Sequence, residues 1–347
     1  MTGVERTAGD RAAERRHLVC SFVSDEPGEE SLFPQMSGPS SVPAFKNVYW
    51  RCMLVLFASF RRFDAAARCS IVTNADPARY CDPALLRALA ALGVDVVILT
   101  FDGRGRAKVE RFGNVLYVLD VLAFLREHDD SDLSMVLDPD CVFLADPAPV
   151  WAAARSGGLA YYDVGSGPDQ NVADLSLRWL SSFAARQGWA LRSPITHVGG
   201  EFLGVTRREL ARLLDAVEAI RAADADGHLT VEEHVLSLAV ALLGAGGLSL
   251  NDRIRRIWTG PRRRDAAADD MALSIWHLPR EKAFGFAVLS DELLPAHRAA
   301  SWTALPTGAY EARLADRMGV PGWSARKWLR ETPRLITRSV GALARRG

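Results

Sequence analysis

The chain has 347 residues, 49% of them apolar and 24% charged, with 42 basic and 42 acidic side chains; that is enough for one large globular domain, and the neutral balance removes the broad positive field on which sequence-independent nucleic-acid binders rely. Five cysteines (Cys20, Cys52, Cys69, Cys81, Cys141) stand at irregular spacings with no CxxC pair, which argues against a zinc framework or a disulfide scaffold and for reduced thiols in a cytoplasmic protein. Charges at Glu5, Arg6, Asp10, Arg11, Glu14, Arg15 and Arg16 leave no room for a signal-peptide core, and no apolar run approaches the about 20 residues of a membrane span.

In chain order, residues 1–16 are polar and without period, and read as a disordered leader. His17 to Val23 is the first strand; the loop from Ser31 to Pro43 is rich in Ser, Pro and Gly. Asn47 to Phe63 reads as a buried helix interrupted by Arg51, whose burial calls for an acidic partner or for phosphates. Strand and helix then alternate: Cys69 to Asn74, the helix Pro83 to Leu92 stopped by Gly93, and Val94 to Thr100 as a strand buried on both faces. A helix over Leu119 to Glu127 precedes the strand Ser134 to Leu137. Such alternation predicts an α/β domain with a mainly parallel central sheet and right-handed crossovers, with the site at the strand ends.

Further on, Leu159 to Asp163 is a strand, Asp174 to Arg186 a helix, His197 to Val205 a glycine-rich strand or turn, and Arg207 to Ala222 a helix with Leu210, Leu213, Leu214 and Val217 on one face. The helix Val231 to Leu243 starts behind Thr230 with Glu233 three residues on, the spacing of a capping box. Residues 301–347 form a basic, partly helical tail: from Glu311 on, nine basic residues face three acids, a net charge of +6. Of the 42 basic residues of the chain only Lys46, Lys108, Lys282 and Lys327 are lysine.

The sharpest chemical signal is Met135-Val136-Leu137-Asp138-Pro139-Asp140-Cys141. Carboxylates at i and i+2 of extended chain share a side, and Pro139 places them where the strand leaves the sheet. Two such oxygens suit a hard divalent cation that also holds a diphosphate; a solvated turn is the plainer reading. Glu232 and Glu233 open a helix, where the dipole alone favours acids.

The order of a first strand, a strand ending in Asn74, a helix and a strand with Leu137-Asp138-Pro139-Asp140 resembles the GT-A class of nucleotide-sugar glycosyltransferases. The resemblance covers about residues 18–286. It implies a GT-A-like three-layer α/β/α catalytic domain over 17–300, Mn²⁺ or Mg²⁺ on Asp138 and Asp140, and nucleotide contacts from Ser24, Asp25 and Asn74 at the strand ends, with Arg51 a further phosphate candidate. His197-Val198-Gly199-Gly200-Glu201 is similar to the loop that such enzymes place across from the metal. Its glycines would admit a sugar close to the backbone, and Glu201 would take sugar hydroxyls. Ile275-Trp276-His277 to Lys282 looks like the late motif of glycogenin-like transferases, in which the His completes the metal shell and the Lys meets the diphosphate; the spacing of five and the missing Pro-Trp after Lys282 depart from it. An imidazole at a strand end and an ammonium a turn later suit that chemistry in their own right. The resemblance makes Glu232 or Glu233 a catalytic candidate facing acceptor or sugar.

The resemblance implies a hexosyl transfer, with retention of configuration, from a nucleoside diphosphate sugar, UDP-linked by preference, to a hydroxyl of a sugar, lipid or small molecule. The basic tail would bind an anionic acceptor, rest on a membrane surface or form a homodimer; nucleic acid is not a partner. Two other readings stay open. Asp138 and Asp140 also satisfy the DxDx[TV] pattern of haloacid-dehalogenase-like phosphatases, with Asp138 as nucleophile and Asp140 as acid or base, and the domain could be a non-catalytic binding module.

Overall fold

A computed structural model describes residues 14–33, 36, 39–101, 112–244, 247–261, 263–294 and 302–332. Most of the expected leader, and the tail beyond residue 332, lie outside the described residues. Residues 14–16 do not behave as a leader: Arg155 Nε donates to Glu14 at 2.6 Å, Arg15 pairs with Asp130, and Arg16 begins the first strand.

Chain order runs β1 (Arg16–Phe22), α1 (Pro43–Arg61), β2 (Arg68–Thr73), α2 (Pro77–Tyr80), α3 (Pro83–Ala91), β3 (Val94–Ile98), α4 (Tyr117–His128), β4 (Leu133–Leu137), β5 (Cys141–Phe143), α5 (Ala148–Gly157), β6 (Leu159–Gly165), the small hairpin β7 (Asn171–Val172) and β8 (Leu175–Ser176), and α6 (Leu177–Arg186). After these come β9 (His197–Thr206), α7 (Arg207–Ala223), α8 (Glu232–Leu243), β10 (Gly247–Ser249), β11 (Ile254–Arg256), β12 (Ile275–His277) and α9 (Gly285–Leu293), with further helices at Thr307–Met318 and over 325–332. The main sheet is ordered β10-β6-β9-β4-β1-β2-β3. Every neighbouring pair is parallel except those made by β9, which runs against both β4 and β6. This is the mainly parallel α/β architecture that the alternating elements predict.

The three layers follow from strand periodicity. Leu18, Cys20 and Phe22 of β1 point into a core shared with α1, α3, α5 and α9, whereas Val19 points into a second core shared with α4, α6, α7 and α8. A strand covered on both faces reads as a continuous apolar run, which is why β1 and β4 carry no polar alternation at their centres. The same argument fails for β3. It is the edge strand of the sheet, shorter than expected, with Asp95 exposed and Ile98 53% exposed. Helix α1 is apolar on nearly all sides because it is covered on several: the sheet lies under it, and β5 and α9 pack beside it.

A second sheet, ordered β11-β12-β5, decides where the chemistry sits. Its strand β5 follows β4 after the turn Asp138–Asp140, so the two sheets are joined at the acidic motif itself. The C-terminal segment is continuous with this body. Trp302, Tyr310, Leu314, Met318 and Val320 are buried in the same core as α1, and the Tyr310 hydroxyl donates to the Phe143 carbonyl at 2.5 Å.

Candidate active site

The main cavity, about 570 Å³, opens at the C-terminal ends of β1 and β4 and is walled on the other side by the small sheet. Asp138, Asp140, His277 and Lys282 lie on one wall, Glu232, Glu233, His197 and Arg256 on another, and Phe45, Tyr49 and Phe112 form an aromatic end near the exit of β1.

Asp138 and Asp140 do not lie in extended chain: β4 stops at Leu137 and the motif turns, with Cys141 N–H donating to the Asp138 carbonyl at 3.3 Å. The turn still points both carboxylates at His277, because β12 runs antiparallel to β5 with His277 opposite Cys141, and Leu278 N–H donates to the Asp140 carbonyl at 3.0 Å. His277 Nε2 is 3.1 Å from Asp140 Oδ2 and 3.6 Å from Asp138 Oδ2. Among the described residues these three form the group whose ligand atoms all lie within 4.8 Å of one another.

The donor set fits a divalent cation on a test independent of the sequence motif. The other ring nitrogen of His277, Nδ1, is 3.1 Å from Glu201 Oε1. A ligating imidazole is held by a hydrogen bond from its second nitrogen to a carboxylate, which fixes the tautomer and leaves the free nitrogen aimed at the metal. Two carboxylates and one imidazole suit a hard to borderline ion. Lys282 Nζ, buried, pairs with Asp140 Oδ2.

The protonation of this cluster is set by burial and mutual charge. Burial would raise the Asp140 pKa, yet the Lys282 ammonium and His277 outweigh it and hold the carboxyl low. Asp138 lies in the cavity with its side chain 43% exposed; desolvation there, with Asp140 and Glu201 pushing the same way against His277 and Lys282, raises its carboxyl. Burial alone would lower His277, but Asp140 and Glu201 raise it.

Glu201 is not where the sugar-binding expectation puts it. Its side chain is fully buried and does not line the cavity. It is gripped by Arg256, whose Nε and Nη2 donate to its two oxygens at 2.7 and 2.6 Å. Arg256 Nη2 also donates to Glu233 Oε1 at 2.7 Å, and Glu233 holds His197 Nε2 at 3.0 Å and the Gly200 N–H at 3.2 Å. Burial raises Glu233, but Arg256 and His197 bring it down to about 2. The capping box expected of Thr230 and Glu233 is therefore absent: Val231 is the N-cap residue of α8, and Glu233 is committed to Arg256 and His197.

Gly199 and Gly200 leave room for neighbouring carboxylates, and Gly200 also lines the cavity. A Cβ on Gly199 would collide with Glu201 Oε2, and one on Gly200 with Glu232 Oε1. Glu232 lines the cavity, and its Oε2 has no hydrogen-bond partner among the described residues. Burial, Glu233 and Asp138 all raise its pKa. It is a carboxyl with an unpartnered oxygen at the edge of an open space.

Of the expected nucleotide contacts, four are occupied in scaffolding. Asn74 clasps Ser24, accepting from its N–H at 2.7 Å and donating to its carbonyl at 2.9 Å. Asp25, 1% exposed, accepts from Ser31 N–H, the Ser40 hydroxyl and Asn114 Nδ2 at 2.8, 2.6 and 2.9 Å. Arg51 reaches Asp291 of α9 at 3.0 Å, so its partner is the acid and not a phosphate. None of Ser24, Asp25, Arg51 and Asn74 lines the cavity; Lys282 does. Arg256, Tyr49 and Asn114, which do line it, carry no signal in the sequence, since their neighbours come from register and loop packing.

No protein-family model matches the chain, and no curated protein matches it. Among solved structures it is similar to the galactosyltransferase LgtC in complex with donor and acceptor sugar analogues, at 14% identity over 86% of this chain and 99% of that one, with a TM-score of 0.49. An active-site mutant of LgtC matches at 13% identity over 76% and 86% of the two chains, TM-score 0.47. The bifunctional glycosyltransferase WbbM matches at 11% over 78% of this chain and 46% of that one, TM-score 0.43. Each of these neighbours is a glycosyltransferase.

Proposed function

We propose that the chain is a metal-dependent hexosyltransferase that moves a sugar from a nucleoside diphosphate donor, UDP-linked by preference, to a hydroxyl acceptor. The observation that carries this reading is the convergence of Asp138, Asp140, His277 and Lys282 on one wall of an open cavity at the strand ends. Mn²⁺ or Mg²⁺ on the first three would supply charge neutralisation to a departing diphosphate. Lys282 stands beside Asp140 and would meet the same phosphate oxygens, a role for which a compact ammonium is suited. Transfer breaks the bond between the anomeric carbon and the diphosphate oxygen, joins that carbon to the acceptor oxygen, and releases the hydroxyl proton.

Glu232 is the candidate for the group that faces sugar or acceptor. Its unpartnered oxygen at the cavity favours a hydrogen bond to a sugar or acceptor hydroxyl, and its raised pKa favours holding a proton. Glu233 orients rather than reacts, being committed to Arg256 and His197. Retention of configuration is the outcome that the glycogenin-like motif favours. No helix among the described residues is long and apolar enough to cross a membrane. Trp328 and Leu329, 54% and 69% exposed beside Arg326 and Arg330, support contact of the C-terminal segment with an anionic membrane surface in a cytoplasmic enzyme.

The phosphatase alternative asks for a protonated Asp140, and Lys282 and His277 hold that carboxyl low against its burial. Calorimetric titration of UDP and GDP, with and without Mn²⁺, into wild type and an Asp138→Ala, Asp140→Ala double variant tests the proposal. Metal-dependent binding of one nucleotide, lost in the variant, is expected. No binding of either in any metal would sink it.

A further inference from the structure

We infer that Arg256 is a positioning residue shared by the two walls of the cavity: through Glu201 it aims the imidazole of His277, and through Glu233 it sets the start of α8. This rests on the metal reading of Asp138, Asp140 and His277. Register puts Arg256 beside His277, on the parallel neighbour β11, so one guanidinium spans the gap between the metal-facing strand and the helix that carries Glu232.

The geometry calls for a fork. Three hydrogen bonds of 2.6 to 2.7 Å leave two nitrogens of Arg256 for two different carboxylates. A lysine ammonium carries the charge but not the planar, two-pronged grip. Glu201 is completely buried and Glu233 only 15% exposed, so removing their shared cation would leave two secluded carboxylates on adjacent elements with like charge. Glu201 would then be free to rotate, and His277 Nδ1 would lose the acceptor that fixes its tautomer and the direction of Nε2. On the other wall, Glu233 would release the Gly200 N–H and His197, which hold the backbone against which Glu232 lies.

The test is Mn²⁺ binding, followed by the electron paramagnetic resonance signal of free Mn²⁺, for wild type, Arg256→Ala and Arg256→Lys, with circular dichroism confirming the fold of each. Both variants are expected to bind Mn²⁺ about 10- to 100-fold more weakly. Arg256 lines the cavity and its side chain is 24% exposed, so added guanidinium ion at low millimolar concentration should restore part of the affinity in Arg256→Ala and none in Arg256→Lys. Where the alanine variant fails to fold, the lysine variant, which keeps the charge, carries the comparison. A folded variant that binds Mn²⁺ as wild type does overturns the inference alone. Absence of Mn²⁺ binding by wild type overturns the metal reading and this inference with it.

Discussion

Asp140 stands between two cations that reach it from one distant stretch of the chain: His277 Nε2 lies 3.1 Å from Asp140 Oδ2, and Lys282 Nζ pairs with the same oxygen. Asp138, two residues away, touches neither as closely and is 43% exposed. Two carboxylates that look equivalent in the sequence therefore have different duties. Asp140 balances buried charge as well as offering an oxygen to a metal, and Asp138 offers only the oxygen.

That difference predicts unequal stability effects for one pair of substitutions. Asp140→Asn leaves a buried ammonium and a raised imidazole facing a neutral amide, a loss of about 3–5 kcal/mol by analogy with other broken buried pairs. Asp138→Asn changes a carboxyl that is 43% exposed and 3.6 Å from His277, and is expected to leave stability within about 0.5 kcal/mol of wild type. Urea unfolding of both variants checks this. Both should abolish metal-dependent nucleotide binding, so the binding and stability measurements separate the two roles.

The adjacent glycines predict a second separation. Gly199→Ala drives a methyl into Glu201 and so disturbs the imidazole of His277; its signature should be weaker Mn²⁺ binding. Gly200→Ala displaces Glu232 instead, and should leave Mn²⁺ binding near wild type while lowering turnover by about 100-fold, the scale of a misplaced reacting group. Metal titration of the two single variants decides it: equal effects of both on Mn²⁺ affinity would contradict the assignment.

What the sequence reveals and what it hides follow from how local each signal is. Asp138 and Asp140 are legible because a strand-ending acidic pair is a feature of six consecutive residues, and Lys282 because lysine is scarce in this chain. Arg256 is one arginine among thirty-eight, in a three-residue strand whose neighbours are fixed only when β11 pairs with β12. Ser24, Asp25 and Asn74 mislead for a related reason: a strand end is readable, but whether its polar side chains face outward or stitch a loop depends on Asn114 and Ser40, far off in the chain. Composition misleads about the C-terminal segment in the same way. It is basic overall, yet Lys327 is completely buried.

Lys327 gives the third prediction. Its ammonium is 2.6 Å from Glu281 and 2.5 Å from Glu331, with the Arg317 carbonyl at 2.9 Å. Glu281 in turn accepts from Gly285 N–H at 3.0 Å and from the Thr259 hydroxyl, and it precedes Lys282 in the turn that delivers that side chain to Asp140. Lys327→Met should strand two buried carboxylates and cost about 3–5 kcal/mol. Lys327→Met with Glu281→Gln should recover part of that loss. Thermal melts of the single and double variants test whether the segment is built into the fold; a single variant as stable as wild type would show that it is not.

The last prediction concerns the opposite pole of the sheet, where His17, Ser70 and Asp129 have the spacing of a nucleophile triad. His17 Nδ1 is 2.8 Å from Asp129 and Nε2 is 2.9 Å from the Ser70 hydroxyl. Ser70 is 1% exposed and none of the three lines the main cavity, so the arrangement ties β1, β2 and the start of β4 together rather than reacting. Burial would raise the Asp129 pKa, but the hydrogen bond and charge of His17, with help from Ser131, hold it well below the usual carboxylate range. A carboxyl whose folded pKa is depressed stabilises the fold fully above its unfolded value, near 4, and that contribution is lost as pH falls toward the folded value. Urea midpoints from pH 7 down to pH 3 should therefore fall for wild type by more than for Asp129→Asn, the gap between the two curves narrowing from roughly 2 kcal/mol at neutral pH without closing by pH 3. Parallel curves would show that Asp129 titrates alike in both states. Ser70→Ala, which removes one partner of His17 and nothing near the cavity, should cost about 1 kcal/mol and leave metal-dependent nucleotide binding unchanged.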